Sequence, residues 1–265
     1  MIKLENFEVV GWEHAVRGMR NPMNSWKKSD SQFKETAQTH AIDYSNNPDG
    51  EIEELFVLYD ALAIGPNDHE LMMKLAKAGS VHAKYRRMIT VYVDITAPLY
   101  WWKEFDTYKV GTVANSCSTM HKLHEKEFTL EDFSHEHLIN ITRPTVELIN
   151  NDCVVFEESG SGDTLYWTAT NILELTIESL NTYRQRYLET KDKKYWWQMI
   201  QLLPNSYNQK RTVMLNYEVL TGMYRDRKNH KLDEWVEFCK WIEELPYHEL
   251  ITGVLDNFEN WDRSN

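Results

Sequence analysis

Histidines, cysteines, arginines and tryptophans are the residues through which this chain could do chemistry, and their spacing narrows the choice. His121 and His124 lie three apart, a spacing that shares one helix face, and His135 with His137 makes a second close pair. No third ligand cluster accompanies either pair, so surface or core histidines are favoured over a metal site. Cys117, Cys153 and Cys239 are too far apart for a zinc knuckle or a redox pair, and their odd number argues against a disulfide framework. Arg17 and Arg20 flank Gly18-Met19 in a basic segment that could meet a phosphate or stay a solvated loop. Trp101-Trp102 and Trp196-Trp197 could stack on a flat ligand ring, although aromatic runs at helical spacing more often build a core or an interface. Asn115 and Ser118 fall in a polar break after an aromatic helix, where they could bind a ligand or simply mark a helix-to-loop transition.

The elements that must carry these residues can be read from periodicity. A helix is expected from Pro66, with Leu71, Met72, Leu75 and Ala78 on one face and Gly79 at its end. Ile89, Val91, Val93 and Ile95 alternate with Thr90, Tyr92 and Asp94, the pattern of a half-buried strand over 87–95. Pro98 suits a first helical turn and leads into Leu99-Tyr100-Trp101-Trp102. Ile172, Leu173, Ile177, Leu180, Tyr183 and Tyr187 share a helical face over 171–188. Further helical patterns run over 195–203, 212–227 and 232–245, the first and last stopped by Pro204 and Pro246. Residues 43–50 are turn formers. The stretch 125–170, with the turn-rich Glu158 to Asp163, gives no clear pattern and reads as an insertion or variable region.

Together these patterns describe an α+β chain, helix-rich with a small sheet and a single domain over 1–265. Its 42% hydrophobic content suffices for one sizeable core or two small ones. A net charge of −12 disfavours non-specific binding to nucleic-acid phosphates, while leaving room for a small anion held by local arginines. No segment is long and apolar enough to span a membrane, and the first residues lack the pattern of a secretory signal. A cytoplasmic protein is the expectation.

Three segments, in order, resemble the flavin-dependent thymidylate synthase family. Near the C-terminus, Leu203-Pro204 is followed by Leu215-Asn216-Tyr217-Glu218-Val219-Leu220, then by Arg227, His230 and Trp235. The family carries a Leu-Pro, an Asn-Ala-Arg-x-Leu helix and, eleven residues past that Asn, an Arg that binds the nucleotide; Arg227 lies eleven past Asn216. Tyr217-Glu218 replaces the family's Ala-Arg. Ala78-Gly79, the strand at 87–95, Ala97-Pro98 and the following helix match a second family segment, and Ala15 to Arg20 is similar to an early Arg-Ala-Ala-Arg stretch. The signature Arg-His-Arg, two residues, Ser, one residue, Asn-Glu, one residue, Ser, one residue, Arg-Tyr is altered. In one register Asn115 and Ser118 keep the Asn and second Ser, Ser116 replaces the Glu, Met120 an Arg, and Tyr108-Lys109-Val110 the Arg-His-Arg. Aligned instead on Ala97-Pro98, Lys109 meets the last Arg, Thr112 the first Ser, and Glu104 a Gln preceding the motif.

The resemblance implies chemistry in which reduced FAD delivers hydride to the uracil ring of dUMP and a folate supplies the one-carbon unit, with no protein nucleophile. It assigns Arg227, Ser118, Glu104 and Asn115 to the pyrimidine nucleotide, and Ser80, His82, Lys109, Asn216 and His230 to the flavin. It also implies a homotetramer with sites shared between subunits, and neither nucleic acid nor membrane as partner. Ser80 and His82 read from the residues alone as an ordinary capping turn, and Arg227 as a helix-surface arginine facing solvent or Asp226. The altered signature leaves two other readings open. One is a relative with changed pyrimidine chemistry; the other is a non-catalytic nucleotide-binding or interaction protein that kept the fold and lost the flavin.

Overall fold

A computed structural model describes residues 2–43, 52–140 and 168–253. In chain order the elements are β1 (Lys3–Val10), α1 (Trp12–Arg20), β2 (Gln32–Asp43), β3 (Ile52–Ala63), α2 (Pro66–Lys77), β4 (Thr90–Pro98), α3 (Leu99–Phe105), β5 (Val113–Ser116), α4 (Ala169–Thr190), α5 (Lys193–Leu202), β6 (Asn208–Asn216), α6 (Tyr217–Arg227), α7 (Asp233–Glu244) and α8 (Glu249–Thr252). One sheet runs in the order β1-β4-β6-β5, and β2 with β3 forms a separate antiparallel pair in register from Gln32↔Ala63 to Asp43↔Ile52. The α+β, helix-rich expectation holds. The chain forms two compact units, one built around Asp94–Thr107 and Ala114–Thr212, the other around Leu4–Val93, Tyr108–Val113 and the chain from Val213 onward.

In the first unit, α4 and α5 bury Leu173, Leu180 and Met199 against Leu123, Phe128 and Phe133. Part of the unreadable middle therefore serves as core: Phe128 and Phe133 flank a 3-10 turn at Leu130–Asp132, closed by a capping box between Thr129 and Asp132. The remainder of that stretch, 141–167, lies outside the described residues, as do Cys153 and most of the 43–50 turn region. Ile172 departs from its expected face. It is 52% exposed, because only the positions from Leu173 onward in α4 meet the core.

In the second unit, Ile89, Val91 and Val93 are buried while Tyr92 is exposed, the alternation that the sequence predicts for β4. The strand begins at Thr90, after a 3-10 turn at Lys84–Met88, and Pro98 caps α3 from outside instead of opening its first turn. The helical reading of 212–227 needs correction. Residues through Asn216 are strand β6, where Val213 and Leu215 are buried on one side, and the helix starts only at Tyr217. Helix α2 is capped across the chain. Asp30 accepts from the Asn67 and Asp68 amides at 3.0 and 3.1 Å, and a Cβ at Gly65 would collide with that carboxylate at 2.3 Å.

Candidate functional site

Helix α6 organises the densest group of candidate residues, all within the second unit. Its start is fixed by Asn216, whose side-chain oxygen accepts from the Val219 amide at 3.0 Å and satisfies an orphan N–H of the first turn. The segment Tyr108–Val113 lies against it. Gly111, at φ +80°, comes so near that an added Cβ would meet Val219 at 2.9 Å and Asn216 at 3.0 Å. This segment is turn and loop, and Lys109 stands exposed on it.

At the far end of α6 the guanidinium of Arg227 is held from several sides. Its Nε donates to the Tyr108 hydroxyl at 2.9 Å, and its Nη1 lies 3.0 Å from His230 Nε2. The guanidinium carbon sits 4.9 Å from the Trp235 ring centroid and 5.6 Å from that of Tyr108. Trp235 is buried in α7, and a cation beside desolvated rings gains roughly 1–2 kcal/mol. Arg227 thus does not face solvent beside Asp226; the ion pair to Asp226 is made by Arg225, at 2.8 Å. Arg227 and His230 therefore meet at this end, whereas Asn216 stands at the other end of α6, roughly 16 Å away, and the Tyr108–Val113 segment touches both ends. Tyr108 is the member that sequence reading left out, because its bond to Arg227 spans 119 residues.

Behind this group, Arg86 is buried and stands 2.6 Å from Glu218 Oε2. It also donates to Thr221 Oγ1 at 3.2 Å and to the Leu250 carbonyl at 3.3 Å. Glu218 stands where the resemblance puts the Arg of the family's Asn-Ala-Arg, and as a carboxylate it supplies no cation there. Its charge is spent on Arg86. Cys239 is buried in α7, and burial, reinforced by the nearby Glu243 and opposed by Arg227, pushes its thiol up to about 12.

Ser80 and His82 belong to the turn after α2, where Gly79 takes φ +96°. Ser80 Oγ accepts from Arg87 at 3.3 Å, and the exposed His82 donates its amide to the Gly79 carbonyl at 2.9 Å. In the first unit, Glu104 is half-buried near the end of α3, and Asn115 is exposed in β5. Ser118 closes a turn, its Oγ accepting from the amides of Met120 and His121 at 3.2 and 2.9 Å.

Of the tryptophan pairs, the first is packed inside and the second is partly exposed, with Trp197 43% exposed. Trp101 and Trp102 are buried, with Trp101 stacked on Phe105 at 5.1 Å and Trp102 donating to the Gln209 carbonyl at 2.9 Å. Trp196 donates to the Met120 carbonyl at 2.8 Å. Among the described residues no group of three His, Cys, Asp or Glu could hold a metal. Arg20 turns inward to Asp68 at 2.5 Å, which also accepts from Ser29 and Ser31 at 2.6 Å each. A pocket of about 350 Å³ lies there, walled mainly by apolar atoms of Val16, Trp26, Phe33 and Leu62. Arg20 is thus no part of a solvated loop: it is buried at the end of α1 with its charge paired to Asp68.

No protein-family model matches the chain, and no curated protein matches it. Solved structures do. Thymidylate synthase X (ThyX) from Helicobacter pylori, solved with FAD and dUMP, superposes with a TM-score of 0.57 at 14% identity, over 96% of this chain and 99% of that one. A second structure of the Helicobacter pylori enzyme with FAD and dUMP gives a TM-score of 0.53 at 13% identity, over 94% and 95%. The UMP/dUMP methylase PolB from Streptomyces cacaoi, bound with 5-Br dUMP, gives 0.53 at 14% identity, over 96% and 95%. At such identities the likeness speaks for architecture alone. The chain has the fold of the flavin-dependent thymidylate synthases.

Proposed function

We propose that this protein is a thymidylate synthase-like enzyme that binds a pyrimidine nucleotide at Arg227 and, with FAD, transfers a one-carbon unit and hydride to dUMP or a related nucleotide. The observation that carries the reading is the placement of Arg227. Its guanidinium lies beside two aromatic rings and is hydrogen-bonded to Tyr108, eleven residues past an Asn that caps its own helix. Holding an arginine this way lowers the entropy lost when it grips a phosphate or a uracil carbonyl, which is what a substrate-positioning cation requires. Each charge-assisted bond it makes contributes roughly 1.5–3 kcal/mol.

FAD, when bound, would supply the hydride. The donor set suits its diphosphate through Lys109, which offers an exposed ammonium. Asn216 and His230 would join it, with Ser80 and His82 from the turn after α2. Glu104, Asn115 and Ser118 remain the proposed nucleotide contacts of the first unit. The folate donor and a tetramer sharing its sites belong to the same proposal. The chain's part is to bind and orient, since chemistry carried by the cofactor leaves the protein positioning and electrostatics.

A second reading has its own support. Glu218 pairs with Arg86, and Tyr108-Lys109-Val110 stands where the family carries Arg-His-Arg, which favours a scaffold with reduced flavin affinity and retained nucleotide binding. Calorimetry with dUMP tests the nucleotide site. Wild type should bind, Arg227→Ala should bind at least tenfold more weakly, and Arg227→Lys should recover only part of the loss, because an ammonium lacks the planar fork. Equal affinity in all three proteins would remove Arg227 from the site.

A further inference from the structure

Two large aromatic side chains of the second unit stand in solvent: Trp26 is 49% exposed and Phe33 58%. Both line the pocket of about 350 Å³ beside α1, with Val16 and Leu62 as further apolar wall. A cavity of this volume lies in the range that holds small organic molecules. The Trp26 ring is held in place before anything binds. Its Nε1 donates to Asn21 Oδ1 at 2.8 Å, and the 3-10 turn Trp26–Lys28 closes with the Ser29 amide donating to the Trp26 carbonyl at 3.0 Å. A ring fixed in this way loses little freedom when another ring packs on it.

The polar residues of the same pocket decide what kind of molecule it takes. Ser29 and Ser31 line it, but each hydroxyl gives its hydrogen to Asp68 Oδ2 at 2.6 Å, and Ser31 Oγ also accepts from the Gly65 amide at 3.0 Å. Arg20, only 4% exposed, turns Nε to Asp68 and Nη1 to the Ser25 carbonyl at 3.3 Å. Among the described residues no acceptor takes its Nη2 hydrogens. A guanidinium only donates, so these hydrogens call for an acceptor atom on a ligand. They do not call for an anion. The charge of Arg20 is met by Asp68, and Arg17 and Glu13, which also line the pocket, approach each other to 3.9 Å. We propose that this pocket binds a neutral, flat aromatic molecule bearing a carbonyl, with its rings against Trp26 and Phe33 and its oxygen accepting from Arg20 Nη2. Such an oxygen supplies the partner that a buried donor otherwise lacks, which a plain hydrocarbon cannot do. The site shares no residue with the group around Arg227 and does not depend on the nucleotide reading.

The test uses the full chain and Prodan, a neutral naphthyl ketone. Its emission brightens and moves to the blue on leaving water, and moves back to the red when its carbonyl accepts a hydrogen bond. Titration should give a saturable rise in emission. Trp26→Ala and Phe33→Ala, both at exposed positions, should each weaken binding about tenfold, as for a truncated aromatic anchor. Arg20→Lys keeps a charge for Asp68 but removes Nη2; the bound probe should then emit further to the blue, with affinity about fivefold lower for one lost hydrogen bond. Naphthalene-2-carboxylate, the same ring system carrying an anion, should bind more weakly than Prodan, and dUMP should not displace the probe. No saturable binding, full affinity in both aromatic variants, tighter binding of the carboxylate or displacement by dUMP would each overturn the proposal. So would Prodan affinity that falls as the chain is concentrated, because a second copy would then be the occupant. If Arg20→Lys does not fold, the aromatic variants and the carboxylate still decide.

Discussion

At the scale of single residues, burial and charge separate groups that the sequence presents as equals. Cys117 and Cys239 are both free thiols, yet Cys117 is exposed and Cys239 is buried with its thiol pushed up to about 12. Because the thiolate is the reactive form, native protein at pH 8 should label at Cys117 within minutes and at Cys239 only after denaturation. Mass spectrometry of alkylated peptides reads this directly, and native labelling at Cys239 would contradict the packing of α7. The same reasoning distinguishes the arginines. Arg20, Arg86 and Arg227 are alike in sequence, but Arg20 and Arg86 are almost wholly buried against Asp68 and Glu218, whereas Arg227 is half-buried between the Tyr108 hydroxyl and the His230 ring. A buried arginine already paired to a carboxylate has little to offer an incoming anion.

At the scale of elements, two junctions decide the local architecture. Gly111 combines a left-handed backbone with a close approach to Asn216 and Val219. Gly111→Ala should therefore lift the 108–113 segment from α6, costing roughly 1–3 kcal/mol in chemical denaturation and weakening ligand affinity through displaced Tyr108. An unchanged midpoint would contradict the seating of that loop. Asp68 ties α1 to α2. Burial raises its carboxyl, but hydrogen bonds from Ser29, Ser31 and Arg20 outweigh that, leaving it below the ordinary 3.8. A depressed carboxyl contributes stability that is present above its unfolded value and is lost as pH falls through the folded one. Wild type should therefore lose stability on acidification below about pH 4, and Asp68→Asn should show a shallower loss over the same range. At neutral pH that variant should be about 3–5 kcal/mol less stable, because Arg20 is left buried without its counter-charge. Urea midpoints measured from pH 7 to pH 3 give both comparisons.

At the scale of the whole molecule, local periodicity was legible and long-range partnership was not. The alternation of β4, the amphipathic faces of α2 and α7, and the eleven-residue step from Asn216 to Arg227 follow from spacing along the chain. The end of β6 is not legible in the sequence because Val213-Met214-Leu215 is a short apolar run that fits either period, and only the cap at Asn216 divides strand from helix. Phe128 and Phe133 were obscure because isolated aromatics in turns carry no period at all. Tyr108 with Arg227, Arg20 with Asp68 and Arg86 with Glu218 each join residues far apart in sequence, and no local pattern encodes such pairs. The fold could thus be anticipated from a few ordered segments, whereas the arrangement that holds Arg227 required coordinates.

The central claim is that this fold still serves a flavin and a pyrimidine nucleotide around α6. The most direct test is the absorption spectrum of the purified protein titrated with FAD and then with dUMP. The account predicts a bound-flavin spectrum that dUMP perturbs in wild type and fails to perturb in Arg227→Ala. A folded protein that leaves the FAD spectrum unchanged, with or without dUMP, would contradict it.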